Sequence, residues 1–171
     1  MSTLLLLRHA KSSWDHPALA DRDRPLAPRG EKAARRIAKY LQAEGIRPQL
    51  VLCSPARRTR DTLELVRPAI GRDVEVEIED ELYGADALEL LDRIRRFDER
   101  IESVMLIGHN PGMQDLAIEL AGGGERDALE QLHTKFPTAA LATFDLGGTR
   151  WAELGARQAS LTSLVLPRQL R

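Results

Sequence analysis

Leu4-Leu5-Leu6-Leu7-Arg8-His9-Ala10-Lys11-Ser12 is the stretch that decides the fold. Four leucines in a row, stopped at once by polar residues, predict a strand from Thr3 to Arg8 with both faces buried. Such strands belong to parallel sheets covered by helices on each side. A side chain at the end of a central strand stands beside the crevice where open α/β sheets bind ligands. Arg8 is a permanent cation with a fork of donors, and His9 is a nucleophile that titrates near neutrality. Taken alone, the pair also reads as a histidine that merely caps a strand.

Working outward, strand and helix patterns alternate. Pro28 opens a helix running to about Glu44, with Ala33, Ile37, Ala38 and Leu41 on one face and Gly45 as its C-terminal cap. Leu50 to Cys53 is a second strand, and Ser54-Pro55 reads as an N-cap followed by a helix from Pro55 to about Val66. Val74 to Ile78 alternates as a half-exposed strand, and a helix follows from about Ala85 to Phe97. Ser103 to Gly108 is a buried strand, and Asn110-Pro111 starts a helix to about Ala121. Gly122-Gly123-Gly124 reads as a flexible joint before a short helix near Asp127 to Leu132. Ala139 to Leu146, Arg150 to Leu154 and Ser160 to Leu166 read as closing strands, with Gly147-Gly148 a hairpin turn. The expected fold class is α/β: a three-layer α/β/α sandwich around a mostly parallel mixed sheet, forming a single domain over residues 1–171.

Composition narrows the function classes. The chain has 171 residues, 43% hydrophobic and 30% charged, enough to bury a core without disulfides or a structural metal. A net charge of −1 gives no global field for nucleic acid or a membrane surface, so neither is expected as a partner. Only Lys11, Lys32, Lys39 and Lys135 are lysines; the other 21 basic residues are arginines. The one cysteine, Cys53, excludes an internal disulfide and suits a reducing compartment. No apolar run reaches the roughly 18–20 residues of a membrane span, so the expected location is the cytoplasm.

Three strand ends carry the same kind of residue. The first ends in Arg8-His9, the second in Ser54 with Arg57 and Arg58 in the helix behind it, and the strand to Gly108 in His109. In a parallel sheet these ends share one edge, and helix N-termini pointing there favour an anion. Two histidines and arginine forks around an anion suit phosphoryl transfer, with a neutral imidazole holding the group covalently and arginines on its oxygens. No carboxylate cluster resembles a Mg²⁺ site, and two histidines are too few for zinc, so neither metal nor cofactor is expected. Cys53 reads as a small buried apolar residue, His16 and His133 as surface residues. Trp14 reads equally as a pocket wall or as packing under a loop.

The same residues carry a resemblance. Arg8-His9-Ala10 resembles the R-H-G/A signature of the histidine phosphatase (phosphoglycerate mutase-like) superfamily, and Lys11-Ser12-Ser13-Trp14-Asp15 continues its x-S-x-W-N pattern with Asp15 in place of asparagine. Arg24-Pro25-Leu26-Ala27-Pro28-Arg29-Gly30 resembles P-L-T-x-x-G. Ser54-Pro55-Ala56-Arg57-Arg58-Thr59-Arg60-Asp61-Thr62 is similar to S-x-x-x-R-A-x-x-T, and Gly108-His109 to its second-histidine motif. The resemblance covers nearly the whole chain. It implies a phosphoglycerate mutase-like fold, His9 as the nucleophile, and Arg8, Arg58 and His109 on the phosphoryl oxygens, with Ser12 and Asp15 also at the substrate. It also implies a general acid just before Tyr83-Gly84, which points to Asp80 or Glu81.

Gly108-His109-Asn110-Pro111-Gly112, Lys135-Phe136-Pro137-Thr138-Ala139-Ala140 and the short length look most like the SixA-type phosphohistidine phosphatases. The implied substrate is a phosphohistidine-carrying protein, because a phosphoramidate needs less protonation of its leaving group than an ester does. A small phosphorylated metabolite and a catalytically weak phospho-binding protein on the same fold remain open.

Overall fold

The leucine run forms β1 (Thr3–Arg8), and its four leucines are buried. Leu4 and Leu6 join one hydrophobic cluster, Leu5 and Leu7 another. Side chains alternate across a strand, so two apolar faces demand an apolar layer on each side. The computed structural model describes residues 2–170 and contains both layers.

Six further strands complete the sheet: β2 (Leu50–Cys53), β3 (Glu75–Ile78), β4 (Ser103–Gly108), β5 (Ala121–Gly124), β6 (Leu141–Asp145) and β7 (Ala159–Val165). Their order is β3-β2-β4-β1-β6-β7-β5. β3, β2, β4 and β1 run parallel to one another, and β5 runs parallel to β7. β6 is antiparallel to both its neighbours. The mixed, mostly parallel sheet matches the sequence pattern. α1 (Pro28–Ala43) and α2 (Arg57–Ile70) cover the Leu5–Leu7 face. α3 (Ala87–Ile94), α4 (Gly112–Leu120) and α5 (Arg126–Thr134) cover the other. Among the described residues, no helix is long and apolar enough to cross a membrane.

Local signals held where backbone chemistry is specific. Gly45 takes φ +65° after α1, and the amides of Gly45 and Ile46 donate back to Gln42 and Leu41. Elsewhere the structure corrects the reading. α2 starts at Arg57 and α4 at Gly112, two residues and one residue later than the first helical positions that the Ser-Pro and Asn-Pro pairs predict. α3 is shorter than expected because an Asp86–Glu89 capping box fixes its start and the chain turns after Ile94.

The triple glycine is no joint. It lies in the edge strand β5, where a Cβ on Gly122 or Gly124 would stand 1.9 or 2.1 Å from the carbonyl oxygens of Arg157 or Leu161. Arg150 to Leu154 is not a strand either: Trp151–Glu153 is a 3₁₀ turn. Buried Trp151 anchors it by donating from Nε1 to the Ile101 carbonyl at 2.7 Å. Gly147 does turn the chain at φ +59°, but into this longer connection and not a two-residue hairpin.

Candidate active site

β2, β4 and β1 are adjacent and parallel, so their C-terminal ends open on one edge and deliver Ser54, His109 and His9 side by side. Arg8 pairs with Gly108 in the register, which sets the His9 and His109 rings 5.2 Å apart between centroids. His9 is 7% exposed. Its Nδ1 lies 2.7 Å from the Ala10 carbonyl oxygen, which can only accept, so Nδ1 carries the proton and Nε2 keeps a lone pair. Burial pushes the His9 imidazole down to about 3, with cationic neighbours adding to the effect, so the ring is neutral at physiological pH.

His109 sits across from it. Its Nε2 is 2.7 Å from the hydroxyl of buried Ser54, and Tyr83 packs edge-on against the ring, 5.6 Å between centroids. Burial and the nearby Arg58 push His109 down to about 4. Arg58, in the first turn of α2, donates to the Asp21 carbonyl at 2.8 Å and to Asp21 Oδ2 at 3.0 Å. Asp21 also accepts from Arg24 and from the Tyr83 hydroxyl. The Tyr83 hydroxyl, with Arg58 and Arg24, holds the Asp21 carboxyl down at about 2. Buried Arg24 donates to the Ser13 carbonyl and to the Ser12 hydroxyl, and its guanidinium stacks 3.3 Å from the centre of the exposed Trp14 ring.

Part of this set lines a cavity of about 300 Å³. Of the sequence candidates, Arg8, His9, Ser12, Arg58 and His109 line it. Trp14, Arg24 and Lys11 form one wall, and Asn110 and Thr138 complete the lining. Three candidates stay outside. Asp15 is exposed, turned outward by a short loop in which its amide donates to the Ser13 hydroxyl. Asp80 faces Arg22 at 3.6 Å on the surface, and Glu81 pairs with Arg96 at 3.0 Å. Both belong to a 3₁₀ turn that buries Leu82 instead, so the segment presents Tyr83 to the site and no carboxyl.

Asp21, Arg24 and Tyr83 are the participants that the sequence reading did not single out. The Tyr83-Gly84 pair is the sequence signal for the last, marking the tyrosine itself and not a carboxyl ahead of it.

Chemically, the ring of donors fits a compact anion. Among the described residues, the buried side-chain nitrogens without a hydrogen-bond partner are Arg8 Nε and His109 Nδ1, both on side chains lining the cavity. No group of three or more His, Cys, Asp or Glu side chains among the described residues is placed to share a metal ion.

Comparison with known proteins agrees with this chemistry. A model of the histidine phosphatase superfamily (branch 1) matches residues 4–102. An uncharacterized protein of Mycobacterium leprae is 34% identical over 168 residues, covering 95% of this chain and 100% of that protein. The phosphohistidine phosphatase SixA of Escherichia coli is 28% identical over 145 residues, 84% of each chain. A crystal structure from Agrobacterium tumefaciens, of a protein assigned as a phosphohistidine phosphatase SixA, superposes with a TM-score of 0.82 at 32% identity. The match covers 97% of this chain and 98% of that one.

Proposed function

This chain belongs to the histidine phosphatase superfamily, and on that footing we propose that it hydrolyses protein phosphohistidine through a phosphorylated His9. Family membership supports phosphatase activity on a phosphorylated substrate; the substrate class is our reading. The observation that carries it is a buried, neutral His9 whose Nε2 keeps its lone pair, set among Arg8, Arg58 and His109 on the cavity lining. The Ser54 hydroxyl, 2.7 Å from His109 Nε2, fixes that ring at the cavity. Arg58, held from behind by Asp21, adds a fixed positive charge.

In the first half-reaction His9 Nε2 forms a bond to phosphorus as the P–N bond of the substrate breaks. The departing imidazole keeps the electron pair and, protonated on its other ring nitrogen, leaves neutral. Water then attacks phospho-His9, releasing inorganic phosphate and restoring the free ring. Among the described residues no carboxylate lines the cavity, which favours a leaving group that needs no acid over a sugar alkoxide. The partner is then a phosphohistidine-carrying protein. A cytoplasmic setting suits this reading, since Cys53 is a free buried thiol.

The test is turnover of a phosphohistidine protein beside sugar and nucleotide monophosphates, with ³²P followed onto the chain. We expect phosphohistidine hydrolysis, an acid-labile label on the wild type, and loss of both by about 10³-fold or more in His9→Ala. Efficient ester hydrolysis with inert phosphohistidine would assign the site to a small metabolite. Binding without turnover would make it a phospho-binding protein.

A further inference from the structure

A second cavity, larger than the one at His9, lies on the same side of the molecule. It is a trough of about 550 Å³ between α1, the segment leading into β6 and the 3₁₀ turn Pro167–Gln169. Six cations line it: Lys11, Arg29, Lys32, Arg36, Lys135 and Arg168. Among the described residues, no acidic side chain does. The trough adjoins the active site, since Lys11 and Thr138 line both.

The fold does not ask for these charges. Arg29, Lys32 and Arg36 share one face of α1, where like charges three and four residues apart repel. Arg29 and Lys32 also lie near the helix N-terminus, whose dipole prefers acids. Elsewhere arginines such as Arg57, Arg93, Arg96 and Arg100 pair with carboxylates, whereas among the described residues none of the six trough cations does. Three of the chain's four lysines are here, in a sequence that otherwise uses arginine. Their compact, strongly hydrated ammonium groups suit dispersed carboxylates better than a chelated phosphate.

Five of the six are exposed and only Arg36 is half-buried, so the trough offers an open, solvated rim and not a set of buried donors. The α1 stripe alone extends roughly 10 Å from Arg29 to Arg36, too long for one phosphate. The overall charge of −1 makes the field local to this face.

We propose that the trough docks an acidic segment of the phosphohistidine-bearing protein and so aligns its phosphoryl group with His9. The proposal rests on the substrate reading above, and its test separates the two. Lys32→Glu/Lys135→Glu reverses one charge on each wall without touching the active-site cavity. A fluorescent acidic peptide carrying unphosphorylated histidine should bind the wild type at low salt, with affinity falling about tenfold in the variant and as salt rises. In parallel, kcat/KM for a phosphohistidine peptide with acidic flanks should fall about tenfold. Phosphoramidate and a neutral-flanked phosphopeptide should change by less than about twofold.

The proposal is overturned if the variant binds the acidic peptide as the wild type does. It is equally overturned if phosphoramidate turnover falls in step, or if inorganic tripolyphosphate binds in place of the peptide. Should phosphoramidate be turned over but neither phosphopeptide, the substrate reading fails. Binding of the unphosphorylated peptide then decides the trough by itself, its loss on charge reversal supporting docking and its absence refuting it.

Discussion

His9 and His109 are kept uncharged by their surroundings, and that has a consequence for stability. Unfolded, each ring takes a proton near pH 6.5; folded, burial holds them to about 3 and about 4. Between those values the unfolded chain binds more protons than the folded one, so stability must fall as pH falls below 6.5. At pH 5 the two rings together should cost about 4 kcal/mol relative to pH 7. Urea unfolding midpoints across this range test it: the slope with pH should flatten by about half in His109→Gln. His9, His109 and Arg58 are legible in the sequence because strand ends and helix starts are local features. Asp21 is not, because that carboxylate sits in a polar loop with no periodicity. Its partners Arg58 and Tyr83 lie 37 and 62 residues downstream.

Strands and helices with strong periodicity were legible, from the leucine run to the Schellman-type end of α1. What escaped was structure imposed by neighbours. Gly122 and Gly124 carry no pattern, yet β5 forms because backbone from Arg157 and Leu161 comes too close for any side chain. Gly122→Ala should therefore destabilise by about 2–3 kcal/mol, while Gly148→Ala, with nothing within 4 Å of its added carbon, should stay within about 0.5. Thermal or urea unfolding distinguishes the two directly. Trp151 misled for a related reason: an aromatic among short apolar residues reads as strand. Its indole instead packs against Phe97 at 5.2 Å and hydrogen-bonds to Ile101, which locks a turn.

At the scale of the whole molecule, one sheet separates two hydrophobic clusters and gathers its reactive groups on a single edge. The charge is divided as sharply, with paired arginines over much of the surface and unpaired cations in the trough. Cys53 stands at the centre of this arrangement, at the end of β2 and one residue from Ser54. It is fully buried, with burial pushing its thiol up to about 12. Reactivity belongs to the thiolate, so alkylating agents and peroxide should leave the native enzyme working. The sulfur becomes available only when the sheet edge comes apart. The rate of iodoacetamide incorporation in native buffer should thus equal the opening equilibrium multiplied by the intrinsic thiol rate, and rise with urea along the global unfolding curve. The chain carries a single-site clock for its own opening, one residue from the serine that holds His109.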